Sequence, residues 1–287
     1  MPVVMVMIAG VAASLGSVAA VKAFDVVGPA GIAGLRCLFG AVILLAVTRP
    51  SLRGHTPREW SAVVGFGVTI AVMYAFYNEA INLLPIGPAI TIEMLGPLVL
   101  SVVLGRQASS WLWAGLALLG VVLIRGIGAA DGTWNPLGVI FAASAGVAWA
   151  GYILFTRATG TMFKSVEALA FAQVVAAALT MPRAFVVEGA GTLLRLDVLA
   201  WGLAVAALSN SICNGLEVLA LRRMPAHVFS VMMAFGPVFG SLIAWLLINQ
   251  RLGLLTWLGI GLVVLASAGV TMAERRRAAG QSLVDRV

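Results

Sequence analysis

The sequence predicts an all-α integral membrane protein: ten transmembrane helices arranged as two inverted five-helix repeats around a central cavity. Three observations carry this expectation. Of the 287 residues, 61% are hydrophobic and only 10% are charged, whereas soluble domains hold about 45–50% apolar residues with glycine included and about 25% charged. Apolar runs of about 20 residues, the length that crosses the hydrocarbon of a bilayer, recur along the whole chain. Landmarks of the first half return in the second, Pro85 matching Pro225 at an offset of 140.

The elements follow in order between charges, prolines and turn signals. The first five runs cover about 3–22, 28–47, 61–83, 88–104 and 109–125. The second five cover about 136–156, 166–181, 198–220, 227–247 and 253–272. Small residues from Ser17 to Ala23 look like a signal-peptide cleavage region. However, no Lys or Arg precedes that first run, so it reads as a span. No stretch has the short alternating segments of a membrane β-barrel. Ten spans use about 200 residues, which leaves only short connections and no soluble domain.

Lysine and arginine orient the spans, because cytoplasmic loops retain positive charge. With the N-terminus inside, the inner connections hold Arg49, Arg53, Arg58, Arg106, Arg157, Lys164, Arg222, Arg223, Arg275, Arg276, Arg277 and Arg286. The outer ones hold Lys22, Arg125, Arg183, Arg195 and Arg251. Both termini are therefore expected in the cytoplasm. The net charge of +7 is a topology signal, with Arg275 to Arg277 able to meet anionic lipid, and it implies no nucleic-acid partner.

The repeat is visible in several pairs. Gly96-Pro97 matches Gly236-Pro237 at the same offset of 140, and Trp113-x-Gly115 matches Trp257-x-Gly259 at 144. Lys22 and Arg157 end the first helix of each half. Five spans per half is an odd number, so the second copy enters the membrane from the opposite side. The expected units are residues 1–130, residues 131–274 and a basic cytoplasmic tail over 275–287. Inverted repeats are a recurrent architecture of secondary transporters, with substrate held near the midplane.

Several chemistries are excluded. Two histidines, His55 and His227, and two cysteines, Cys37 and Cys213, cannot build a Cys/His metal cluster or a disulfide framework. There is no P-loop, His-Glu-x-x-His pair or Gly-x-Ser-x-Gly elbow. No enzyme, cofactor or metal is expected. Both cysteines lie in apolar runs and read as small buried hydrophobes.

Four ionisable residues fall inside the spans: Arg36, Glu79, Glu93 and Glu217. A charge at mid-helix costs about 2.5–3.5 kcal/mol on insertion scales, so these groups must face one another, a neighbouring helix or water. At ~1.5 Å rise per residue, Arg36 lies about 12 Å from the outer end, Glu79 about 9 Å and Glu93 about 7 Å. Glu217 belongs to the opposite half of the bilayer. One reading is recognition of a zwitterion, with Arg36 offering a planar fork to a carboxylate and Glu93 or Glu79 receiving an ammonium. The other is a structural ion pair of Arg36 with Glu79. Whether a carboxylate also carries a proton in exchange for substrate stays open at this point.

Pro97 and Pro237 lack the amide that would bond the carbonyl four residues earlier, which frees the carbonyls of Glu93 and Met233. With Gly96 and Gly236 they are hinge candidates that suit a cavity wall. Tyr74, Tyr77, Asn78, Trp149, Tyr152, Asn210 and Asn214 are further wall candidates, and Tyr77 and Glu217 are repeat equivalents, 140 apart. Met94, Met232 and Met233 read as bundle filler.

These segments resemble the ten-helix, EamA-type drug/metabolite transporters, in particular the bacterial threonine/homoserine and aromatic amino-acid exporters. The resemblance lies in Ile92-Glu93-Met94-Leu95-Gly96-Pro97-Leu98, in Leu216-Glu217-Val218 through Met224-Pro225 followed by Phe229, and in Leu35-Arg36-Cys37-Leu38. It implies an inner-membrane carrier that exports amino acids or related metabolites by alternating access, as a monomeric or weakly associating chain. Efflux of organic cations or drugs is the alternative. Two departures stand out: Gly236 and Asn249-Gln250 occupy positions where many relatives are acidic.

Overall fold

The computed structural model describes residues 2–105, 108–126, 135–160, 162–163, 166–221 and 232–284. Every regular element among them is helical. They are α1 (Pro2–Ala23), α2 (Pro29–Thr48), α3 (Pro57–Leu83), α4 (Ile86–Glu93), α5 (Leu95–Gly105), α6 (Ala108–Gly126), α7 (Pro136–Gly160), α8 (Glu167–Glu188), the single turn α9 (Ala190–Leu193), α10 (Leu196–Val205), a π-helical stretch (Ala206–Ile212), α11 (Cys213–Leu221), α12 (Gly236–Ile248) and α13 (Leu254–Val284).

Among the described residues, six helices are long and apolar enough to cross a membrane: α1, α2, α3, α7, α8 and the composite Leu196–Glu217. Ile86–Leu100, Gly236–Ile248 and Leu254–Gly269 are shorter apolar helices. The start of the ninth expected span, with the Arg222-Arg223-Met224-Pro225 motif, His227 and Phe229, lies outside the described residues, as do Arg106, Lys164 and Arg286.

The expected boundaries move where local chemistry overrides the apolar pattern. α3 starts at Pro57 because a capping box precedes it: the Glu59 amide donates to Thr56 Oγ1 at 3.3 Å and the Thr56 amide to Glu59 Oε2 at 2.6 Å. α8 does not stop before Pro182 but continues to Glu188. A proline removes one backbone bond, and α8 is held along its flanks by α2 and α3, which suffices to carry the helix past it. The fourth span breaks at Met94 into α4 and α5. α13 continues as helix through the basic segment to Val284.

Packing joins the early helices to the late ones. α2 lies along α8, α6 along α13 and α4 against α12. α3 packs on α7 and α8, while α1 packs on α10, the π-helical stretch, α11 and α12. Small residues permit this in lipid, where close backbone approach replaces the hydrophobic drive. A Cβ on Gly120 of α6 would stand 2.7 Å from the carbonyl oxygen of Gly259 on α13. Gln250, one of the two departures from the acidic pattern, takes a capping role: its Oε1 accepts from the Ile86 amide at 3.1 Å, a donor that α4 leaves unpaired at its start.

Candidate functional site

A cavity of about 180 Å³ lies where α1, α2, α3, α4, α7, α11 and α12 meet. One water needs roughly 10–15 Å³ of such space, so there is room for a small solute.

The arginine side is built from three helices. Arg36 of α2 is 4% exposed and lines the cavity. Its guanidinium lies over the Tyr74 ring at 3.8 Å from the centroid, a desolvated cation–π contact worth up to about 2 kcal/mol. Its Nη2 donates to Asn210 Oδ1 at 3.0 Å, and Asn210 Nδ2 donates back to the Arg36 carbonyl at 3.2 Å. The buried Nε–H finds no protein acceptor among the described residues. An unmet buried donor costs about 1–3 kcal/mol, which an anionic ligand would recover.

The acidic side comes from both halves. Glu93 sits at the last residue of α4 and lines the cavity, as does Glu217 on α11. Glu217 Oε1 accepts from the Cys213 thiol at 3.3 Å. Cys213 thus also reaches the cavity, while Cys37 is the buried hydrophobe expected of it. Among the described residues the salt bridges are His55 with Glu59, Arg183 with Glu79 and Arg195 with Asp197. None involves Arg36, Glu93 or Glu217.

The break at Met94 places Glu93. Pro97 removes the bond to the Glu93 carbonyl, and that oxygen faces Gly146 of α7, where an added Cβ would stand 2.5 Å away. A Cβ on Gly96 would in turn overlap the Gly146 carbonyl. Two glycines therefore let the broken helix rest on α7 backbone to backbone. In the second half α12 begins at Gly236, which lines the cavity. Pro97 and Pro237 shape the helices without touching the cavity.

Of the other residues singled out from sequence, Tyr74, Tyr77, Trp149, Tyr152 and Asn214 line the cavity. Asn78 and Asn210 are fully buried beside it; Asn78 Nδ2 donates to the Tyr74 carbonyl at 2.8 Å. Glu79 lies elsewhere. Its Oε1 accepts from Arg183 Nη2 at 2.7 Å, so the alternative pair with Arg36 does not form. Arg183, expected in an outer loop, is on α8. The methionines read as filler, Met94, Met232 and Met233, are wall residues.

The sequence reading missed Ser14, Ser17, Ser209 and Phe239. Ser17 Oγ and Tyr77 OH are 2.8 Å apart, a hydroxyl pair in the wall. Gly10, Ser14 and Ser17 recur at helical spacing along one face of α1, a signal that periodicity could have found.

The sequence model of the EamA-like transporter family matches residues 1–126 and again 136–272. The chain belongs to this family. Within it, the threonine/homoserine exporter RhtA of Escherichia coli K12 is 27% identical over 276 residues, covering 96% of this chain and 93% of the relative. RhtA of Salmonella typhimurium LT2 is equally similar over the same shares. One solved crystal structure matches with a TM-score of 0.67 at 19% identity, covering 96% of this chain and 98% of the other, a likeness of fold. These curated relatives are transporters, not enzymes.

Proposed function

We propose that the chain is a bacterial inner-membrane exporter of small amino acids, working by alternating access between inverted halves at 1–130 and 131–274, with both termini cytoplasmic. The observation that carries this reading is the cavity itself: a guanidinium and carboxylates share one small enclosure without neutralising one another. A zwitterion completes that arrangement, its carboxylate meeting Arg36 and its ammonium meeting Glu93, with Glu217 as the second acidic group. The resemblance to threonine/homoserine exporters makes hydroxylated amino acids the first substrates to try.

Helix pairing supports the inverted repeat. α2 with α8 and α6 with α13 each join an element to its expected counterpart in the other half, and α4 with α12 joins the expected fourth span to the expected ninth. The contact of α3 with α7 has its mate in that of α1 with α11. Such a two-fold lets one half rock against the other about the central site. The breaks at Met94 and before Gly236 are the hinges of that motion.

Glu93 and Glu217 outnumber Arg36 and share the cavity wall with Trp149, which favours efflux of organic cations as a second reading. Reconstitution of the purified chain in liposomes, with a screen of radiolabelled amino acids with and without a pH gradient, separates the two. Counterflow of threonine or homoserine is expected. No movement of any amino acid, alongside uptake of a cationic dye, would overturn the amino-acid reading. A pH dependence of transport that disappears in Glu93→Gln assigns proton exchange to that carboxylate, and an unchanged dependence removes the assignment.

A further inference from the structure

We propose that Asn210 is a positioning residue for substrate recognition: it fixes the Arg36 guanidinium in the orientation that receives a carboxylate. The inference rests on the reading of Arg36 as the carboxylate-binding group and adds a second residue that does not itself line the cavity.

The geometry is reciprocal. Asn210 is fully buried and uses both ends of its amide on one partner, Oδ1 accepting from Arg36 Nη2 at 3.0 Å and Nδ2 donating to the Arg36 carbonyl at 3.2 Å. The first bond sets the head of the arginine and the second its backbone. Tyr74 takes the flat face at 3.8 Å. A free arginine side chain samples many rotamers, whereas bidentate capture of a carboxylate needs the fork at one angle. Holding the guanidinium at Nη2 and on one face, with the backbone of the same residue tied to the same amide, removes that freedom before substrate arrives.

Two further features belong to the clamp. Asn210 lies on the π-helical stretch Ala206–Ile212, and such turns are rare and concentrate at functional sites. On the facing helix the residue one turn beyond Arg36 is Gly40, where a Cβ would stand 2.8 Å from Asn210 Nδ2. A side chain there would displace the amide, so the glycine clears its seat.

The test uses the full chain in proteoliposomes, with counterflow of radiolabelled L-threonine and competition by threoninol, which keeps the amine and hydroxyl but lacks the carboxylate. Asn210→Ala is expected to raise the threonine KM about ten-fold while the maximal rate and the threoninol inhibition constant move less than about two-fold. In an Arg36→Ala background the same change adds less than about two-fold, since its action passes through the arginine. Equal weakening of both compounds by Asn210→Ala, or a fully additive loss in the double variant, overturns the proposal. Where Arg36→Ala selectively weakens threonine but Asn210→Ala does nothing, the positioning role alone fails. Where Arg36→Ala weakens both compounds equally, the underlying reading of Arg36 fails with it. If Asn210→Ala does not assemble, Gly40→Ala replaces it: a threonine-selective rise in KM sustains the proposal, and an unchanged or unselective KM overturns it.

Discussion

One methyl group on Gly146 tests whether backbone contact between α7 and the broken fourth span holds the site in shape. A Cβ there would stand 2.5 Å from the Glu93 carbonyl oxygen, 3.2 Å from its carbon and 3.3 Å from its Cα. All three are backbone atoms, so no side chain can swing aside. Overpacking of this kind costs about 1–3 kcal/mol. With about 2–4 °C lost per kcal/mol in chains of 150–250 residues, Gly146→Ala should melt several degrees below wild type. Because the displaced residue is Glu93, the threonine KM should rise as well. Gly96→Ala, whose Cβ overlaps the Gly146 carbonyl, should be worse. Gly215 of α11 has nothing within 4 Å of its added Cβ, so Gly215→Ala is the control and should match or exceed wild-type stability through helix propensity. Melting is followed by size-exclusion chromatography of heated detergent extracts. A Gly146→Ala protein that melts with wild type and transports normally would refute the argument.

Three further outcomes are expected. Arg183→Ala and Glu79→Gln break a pair that is half-exposed on the arginine side, so each should lower the melting temperature by only a few degrees and leave the threonine KM within about two-fold in transport assays. A membrane-permeant methanethiosulfonate reagent should label Cys213 and not Cys37, with saturating threonine slowing the reaction; mass spectrometry of Cys213→Ser and Cys37→Ser proteins checks this. Thr56→Ala removes the side-chain acceptor at the start of α3 and should cost about 1 kcal/mol, read as a lowered melting temperature with unchanged substrate selectivity.

The helical class and the positions of most spans were legible because apolar runs of membrane length need no tertiary information. Pro182 misled because its missing amide marks a helix end in isolation, yet contacts with α2 and α3 carry α8 through it. That misreading also hid Arg183, and with it the true partner of Glu79. Arg36, Glu93 and Glu217 stood out because charge inside a span demands an explanation. Ser14 and Ser17 did not, since a hydroxyl can satisfy itself on the preceding turn, as Ser14 does on the Gly10 carbonyl at 2.8 Å. The π-helical stretch has no composition that distinguishes it from α-helix. Only its pairing with α2 reveals why Asn210 lies there.

In the proposed binding mode Arg36 and Glu93 read opposite ends of one zwitterion. Isothermal titration of the purified protein with threonine, threoninol and 3-hydroxybutyrate tests it most directly, in wild type, Arg36→Ala and Glu93→Gln. Each charge-assisted contact is worth about 1.5–3 kcal/mol, or roughly ten- to hundred-fold in affinity. Arg36→Ala is expected to weaken threonine and 3-hydroxybutyrate by that factor and spare threoninol, while Glu93→Gln weakens threonine and threoninol and spares 3-hydroxybutyrate. Equal weakening of all three compounds by both variants would contradict it.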